Sequence, residues 1–263
     1  MIKLLLDSPE IDRYDLSSLR YVVYGGGPMY VDDLKKAVAR LGQVFIQIFA
    51  QGETPMTGIY LGRRQHVLEG SEQQEKRLMS AGVARTGIEL SIVDPEDREV
   101  SRGQLGEIVV RGRTVMHGYW RQPEATAETL RNGWLHTGDV GYMDTGGYVY
   151  ILDRTKDMII SGGANIYPRE IEEVIQQHPA VKEVAVVGVP DDVWGESVKA
   201  VIGLRDGCFA TEQDIIDQCL SHLASYKKPK SVDFVPELPK NAYGKILKRE
   251  LRERYWTTLE RRV

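Results

Sequence analysis

The sequence predicts a protein of mixed class: the end of a large layered α/β domain carrying a β-rich subdomain, then a small α+β domain. Three observations lead there. Residues 19–49 read as strand, glycine loop, helix and strand. Residues 81–150 break into short strands at turn signals. A charged crossing at 154–157 then precedes a stretch in which helices and strands alternate.

The chain opens on Ile2-Lys3-Leu4-Leu5-Leu6, which reads as a helix with no cap or turn before it, as though the sheet began midway. This run is too short for a signal peptide, and no segment approaches the ~18 apolar residues of a membrane helix. Residues 19–24 form a strand and Gly25-Gly26-Gly27-Pro28 a tight loop. Residues 31–41 form a helix, because Leu34, Val38 and Leu41 fall at helical spacing, and 44–49 the next strand. Strands follow at 89–93, 106–111 and 147–152, separated by Asp-Pro, Arg-Gly and Gly-Gly turns. Beyond the crossing, Pro168 opens a helix at 169–177, in the first turn where its missing N–H costs nothing. Strands at 184–189, 197–204 and 232–235 and helices at 212–223 and 246–255 complete a compact α+β unit.

Composition narrows the function. Lys and Arg number 34 and Asp and Glu 38, a net charge of −4, which gives no electrostatic case for a nucleic-acid partner or an anionic membrane surface. Two cysteines, Cys208 and Cys219, make no disulfide framework; both read as packing residues, and a cytoplasmic location is expected. The five histidines, His66, His117, His136, His178 and His222, fall in no hydrolase or zinc spacing.

Several short motifs carry chemistry. Met158 to Ile160 leads into Gly162-Gly163, a turn where the backbone takes positive φ or approaches another group closely. Gly25-Gly26-Gly27 after a strand leaves the backbone open to a flat or anionic ligand, though such a loop is more often only a turn. Phe49 can stack on a flat ring. Glu53, at a strand end, offers a hard carboxylate for a hard cation, or else is a solvated charge. Asp139, after Thr137-Gly138, offers a carboxylate to paired hydroxyls; the plain alternative is an Asx-type turn. Arg154 carries a permanent forked cation. Lys245 lies in Leu238-Pro-Lys-Asn-Ala-Tyr-Gly-Lys-Ile-Leu-Lys248, where the plain reading is one more residue of a solvated basic run. Trp194 reads equally as a half-buried core aromatic.

The segment Ile151-Leu-Asp-Arg-Thr-Lys-Asp-Met-Ile-Ile-Ser-Gly-Gly-Ala-Asn-Ile-Tyr-Pro-Arg-Glu-Ile-Glu172 resembles the hinge motif of the adenylate-forming superfamily, which holds acyl-CoA synthetases, luciferases and peptide-synthetase adenylation domains. Phe49-Ala-Gln-Gly-Glu-Thr-Pro55, Trp134-Leu-His-Thr-Gly-Asp139 and the run ending at Lys248 follow the family's motif order. The resemblance implies an acid–thiol ligase, an acyl-CoA synthetase that joins a carboxylic acid to ATP as an acyl-adenylate and passes the acyl group to CoA. It implies that Gly26, Gly27, Pro28 and Phe49 line the adenine pocket, that Asp139 and Arg154 contact the ribose or phosphate, and that Glu53 holds Mg²⁺. Lys245 is implied as the catalytic cation and Lys156 as the hinge pivot, with Gly162, Gly163 and Trp194 on the CoA side. The domains expected are 1–153, the C-terminal portion of an AMP-binding domain, a hinge at 154–157, and a mobile domain at 158–263.

Two departures stand out. The family's threonine is replaced by Gly52, so that either the Gly52 N–H or Thr54 must serve the phosphate. The Ser/Thr/Gly-rich phosphate loop expected upstream of Gly25 is absent, and the chain alone is therefore expected to be inactive in adenylation. A carrier-protein adenylation enzyme and a non-catalytic AMP-binding module remain as alternatives. The acid, with a medium or long fatty acid favoured, and the oligomeric state stay open.

Overall fold

A computed structural model describes residues 2–27, 29–241 and 244–256. The chain divides into two compact units, residues 1–151 and 152–263.

The first unit begins with helix α1 (Ile2–Leu6), strand β1 (Val22–Gly25), helix α2 (Val31–Leu41) and strand β2 (Phe45–Gln51). β1 and β2 run parallel, Val22 opposite Phe45 and Gly25 opposite Ile48, with α2 as the crossover. The apolar side of α2 puts Leu34, Ala37 and Val38 into a core with Tyr24, Phe45 and Leu78, and Gly42 ends the helix at φ 78°. Phe45 is fully buried, a burial that stabilises by about 1.5–3 kcal/mol.

β2 turns back into β3 (Thr54–Leu61), which the sequence reading missed. Helix α3 (Glu72–Lys76) follows, capped by Ser71, and strand β4 (Val83–Ala84) closes a four-stranded sheet of order β1-β2-β3-β4. Next come β5 (Ile88–Val93), β6 (Gly106–Gly112), helix α4 (Pro123–Thr129), β7 (Leu130–Arg131), β8 (Trp134–Met143) and β9 (Val149–Arg154). They form a five-stranded sheet of order β5-β6-β8-β7, with β9 beside β8. Ile59 of β3, Ala81, Ile92, Ile108, Met143 and Val149 share one core, so the two sheets pack together within this unit.

The second unit opens with a 3₁₀ turn at Thr155–Asp157. Strands β10 (Ile159–Ser161) and β11 (Ala164–Ile166), helix α5 (Pro168–Gln176), strands β12 (Val181–Asp191) and β13 (Gly195–Leu204), helix α6 (Glu212–His222), strand β14 (Ser231–Phe234) and helix α7 (Lys248–Glu253) follow. The sheet order is β11-β10-β13-β12, with β14 parallel to β13. Six consecutive residues of β12, 184–189, are buried, because α5 and α7 both pack on this strand; that is why it reads as a continuous apolar run rather than an alternating one. Cys219 is buried in α6, which pushes its thiol up to about 11, whereas Cys208 is exposed, so the packing role expected of both cysteines holds for Cys219 alone. Among the described residues no helix is long and apolar enough to cross a membrane.

Candidate active site

Within the first unit the expected nucleotide residues stand at the ends of β1 and β2 and inside β8, with Gln51 of β2 bonded to Asp139 of β8. Gly25 ends β1, where a Cβ would stand 2.2 Å from the Ile48 carbonyl oxygen; only glycine permits the β1–β2 pairing there. Gly26 has φ 76° and open space around it, and Gly27 is likewise unobstructed, so the loop presents bare backbone. The expected contact Pro28 lies outside the described residues. Phe49 sits in β2, half-buried, and packs against the core that holds Ile59 and Ile108.

Gly52 and Glu53 form the two-residue turn between β2 and β3, closed by the pairing of Gln51 with Thr54. Glu53 is anchored twice to the segment following β6: its carbonyl accepts the Met116 N–H at 2.8 Å and its carboxylate accepts the Tyr119 hydroxyl at 2.5 Å. That bond, with burial adding to it, raises the Tyr119 phenol above its ordinary range. Thr54 is fully buried, its hydroxyl 3.3 Å from that of Thr114. The Thr54 hydroxyl is thus engaged inside the fold, whereas Gly52 is exposed.

Asp139 is the most thoroughly positioned residue. It lies within β8 rather than in a turn: the register between β6 and β8 shifts from Glu107–Val140 to Val109–His136, a bulge in which Gly138 takes φ 69°. The Asp139 N–H is bonded to the Thr137 hydroxyl at 3.1 Å, and that hydroxyl donates to the Ile108 carbonyl at 2.6 Å. Gln51 Nε2 donates to both the Asp139 carboxylate and the Thr137 carbonyl, each at 2.7 Å. Beneath the bulge, Glu107 accepts the Gly138 N–H at 2.9 Å and pairs with His136 Nδ1 at 2.8 Å. Asp139 is 5% exposed, so its charge is held in place by donors before any ligand arrives. Gln51, Glu107 and Tyr119 were not foreseen; each works through a neighbour distant in sequence, and spacing carries no trace of that.

No group of three metal-ligating side chains exists among the described residues. Mg²⁺ is usually held by one or two carboxylates with phosphate oxygens and water completing the shell, and Glu53 offers one carboxylate to such a shell. The residues present therefore fit a nucleotide-borne Mg²⁺ better than a dedicated protein cage.

The second unit brings the expected thiol-side residues together. Gly162 and Gly163, at φ 57° and 83°, form the two-residue hairpin turn between β10 and β11. The Gly162 N–H donates to the Trp194 carbonyl at 2.8 Å, and a Cβ on Gly162 would meet the indole at 2.4 Å. Trp194 is 50% exposed, which argues against the core-aromatic reading. Asp191 organises its loop, accepting the N–H groups of Val193 and Trp194 and pairing with Lys230 at 2.7 Å; the Lys230 bond leads in drawing its carboxyl down to about 2. Gly162→Ala is expected to force the indole aside and to add about 1–2 kcal/mol of backbone strain. Urea unfolding of the variant checks this.

Arg154 ends β9 half-buried, and exposed Lys156 lies in the 3₁₀ turn that follows. Lys245 occupies a tight loop tied by Asn241, whose side chain accepts the Lys245 N–H at 3.0 Å and whose N–H donates to the Lys245 carbonyl at 3.0 Å; Gly244 takes φ 81°. Of its basic neighbours, Lys240 pairs with Glu183 at 2.6 Å, Lys248 with Glu172 at 2.8 Å and Arg252 with Asp157 at 2.5 Å, whereas Arg249 and Arg254 are exposed, as a solvated run expects. Among the described residues the Lys245 ammonium has no such partner.

The chain is similar to known proteins along both units. Residues 1–120 fit the AMP-binding enzyme family and residues 170–245 the AMP-binding enzyme C-terminal domain. The chain is 41% identical over its whole length to a fatty acid–[acyl-carrier-protein] ligase of Streptomyces coeruleorubidus, covering 50% of that protein. It is 39% identical, again over its whole length, to a medium/long-chain-fatty-acid–CoA ligase of Mycobacterium tuberculosis, covering 46%. The solved structure of amide bond synthetase McbA from Marinactinospora thermotolerans superposes with a TM-score of 0.89 at 36% identity, over 97% of this chain and 50% of the other. The chain spans about half the length of the curated relatives it matches. It belongs to the adenylate-forming superfamily, among the acyl-CoA synthetases and their close relatives.

Proposed function

We propose that this chain serves an AMP-forming acid–thiol ligase that activates a carboxylic acid and passes it to CoA. The observation that carries the reading is the buried Asp139 carboxylate, fixed by Gln51 and by the bulge of β8, in a chain whose family motifs follow in order.

In the first step a carboxylate oxygen attacks the α-phosphorus of ATP and pyrophosphate leaves. Asp139 accepts the ribose hydroxyls, and Arg154 adds a fixed cation at the nucleotide. The open backbone of Gly26 and Gly27 lies along the adenine, with Phe49 beside it. Glu53, oriented by Tyr119, holds Mg²⁺, which when bound neutralises phosphate charge. Lys245 brings its ammonium to the developing charge at the reacting phosphate and carboxylate. In the second step the CoA sulfur attacks the acyl carbonyl, losing its proton to solvent, and AMP leaves. The second unit turns about 154–157 between the steps, exchanging Lys245 for the Gly162-Gly163 turn and Trp194. The names of the fatty-acid ligases among the relatives favour a medium or long fatty acid, and those of two feruloyl-CoA synthases at 42% identity favour an aryl acid.

The match to an acyl-carrier-protein ligase favours a second reading, in which a carrier-tethered pantetheine replaces free CoA. Rates with CoA and with a pantetheinylated carrier separate the two.

Nucleotide binding tests the site directly. Gln51→Ala removes the donor that holds Asp139, and AMP should bind roughly 10- to 100-fold more weakly, the loss expected for a charge-assisted hydrogen bond. Calorimetric titration of AMP into the purified chain and this variant measures it; equal affinities would remove Asp139 and its support from the site.

A further inference from the structure

We propose that Arg252 is a positioning residue that ties the hinge peptide to the helix following Lys245, so that the hinge and the Lys245 loop change together. The proposal rests on the reading of 154–157 as the moving joint.

Lys248 and Arg252 stand one helical turn apart on α7, and Asp153 and Asp157 stand four residues apart at the two ends of the joint. The basic pair grips the acidic pair. Lys248 Nζ lies 3.5 Å from the Asp153 carboxylate, and Arg252 Nη1 lies 2.5 Å from that of Asp157. Arg252 and Asp157 are both mostly buried, with side-chain exposures of 14% and 15%, so solvent screens this pair little.

The decisive contact is a third one. Arg252 Nη1 also donates to the Lys156 carbonyl at 3.2 Å. That carbonyl swings with the ψ angle of Lys156, so any rotation at this residue must break or remake the bond. The helix cannot follow independently, because Leu251 is fully buried against Ala185, Val187, Val189 and Leu238. Only two residues separate Lys245 from the start of α7. Arg252 thus favours one setting of the joint, and the loop that carries Lys245 shares the rigid body that holds it. Lys248 grips the joint at its start, through Asp153.

Hydrogen exchange on the purified chain tests the tie. The Met158 amide, bonded to the Arg154 carbonyl at 3.1 Å across the 3₁₀ turn, is the reporter, and the amides of β12 and β13 are the control. Arg252→Met keeps an unbranched apolar stem but removes every donor. Exchange at 155–158 should rise about tenfold, the effect of losing a charge-assisted hydrogen bond, with the control strands unchanged. Arg252→Lys, which keeps the charge, should fall between the two. Unchanged exchange at 155–158, or an equal rise throughout β12 and β13, would overturn the proposal. In the active enzyme, Arg252→Met should also shift the ratio of adenylation to thioester-forming rates by about tenfold; a constant ratio counts against it. The exchange result needs no catalysis, so a protein that activates no acid would defeat the functional reading and leave this one standing.

Discussion

Lys245→Ala is expected to slow acyl-adenylate formation by about 10²- to 10³-fold, while CoA attack on preformed acyl-adenylate stays close to its original rate. The magnitude is that of removing one preorganised charge from a transition state. The asymmetry follows from the loop: Lys245 is exposed, its backbone fixed on both sides by Asn241, and among the described residues its ammonium has no partner. Lys240, Lys248 and Arg252 are committed to Glu183, Glu172 and Asp157 and hold the fold instead. Removing Lys245 should therefore leave the midpoint of unfolding nearly unchanged. Pyrophosphate exchange and thioester formation, measured side by side, check the prediction; equal losses in both half-reactions would undo the role given to Lys245.

Lys248→Ala is expected to act on stability, by about 3–5 kcal/mol, the usual result of stripping one partner from a buried ion pair. Glu172 is 2% exposed and accepts both the Lys248 ammonium at 2.8 Å and the Val186 N–H at 2.8 Å. Burial opposes the charge on Lys248, yet the Glu172 carboxylate, with Asp153 adding to it, holds the ammonium above the ordinary lysine range. Burial is also the leading influence on Glu172, whose carboxyl it pushes up while Lys248 pulls it down. Without Lys248 that carboxyl should rise further. A folded-state value raised above the unfolded one means that the native state binds the extra proton, so the variant keeps most stability below the ordinary glutamate range and loses it as pH rises through the raised value. Lys248→Met combined with Glu172→Leu should recover part of the loss, because it removes the lone Glu172 charge while Asp153 keeps the N–H groups of Arg154 and Arg169. Urea unfolding at acidic and neutral pH measures both effects.

The longer helices were legible because their periodicity is local, whereas the short α3 and α4 were not assigned. Residues 31–41 were assigned from Leu34, Val38 and Leu41, and the helix occupies those residues; Pro168 marked the start of α5. β12 and β13 were found but drawn short: they pair from Val181 to Asp191, past Gly188 and Pro190, which read as turn residues in the sequence. β3 and β8 were missed. Thr54-Pro55 reads as a break in the sequence, yet Thr54 pairs with Gln51 to close a hairpin. Thr137-Gly138 reads as a turn, yet it is a bulge in a ten-residue strand. In both places a glycine or proline signal describes the local backbone correctly and the pairing incorrectly, because pairing is decided by strands far away. The same limit applies to the site. Asp139, Glu53 and Lys245 stand in recognisable motifs, whereas Gln51, Glu107, Tyr119 and Arg252 act through partners 29 to 96 residues distant.

The measurement closest to the central claim is the nucleotide product formed by the native protein from a fatty acid, ATP, Mg²⁺ and CoA. The expected result is acid-dependent formation of AMP and pyrophosphate together with the acyl thioester, with an acyl-adenylate accumulating when CoA is left out and lost in Lys245→Ala. Formation of ADP and phosphate, or of thioester with no need for ATP, would contradict the assignment.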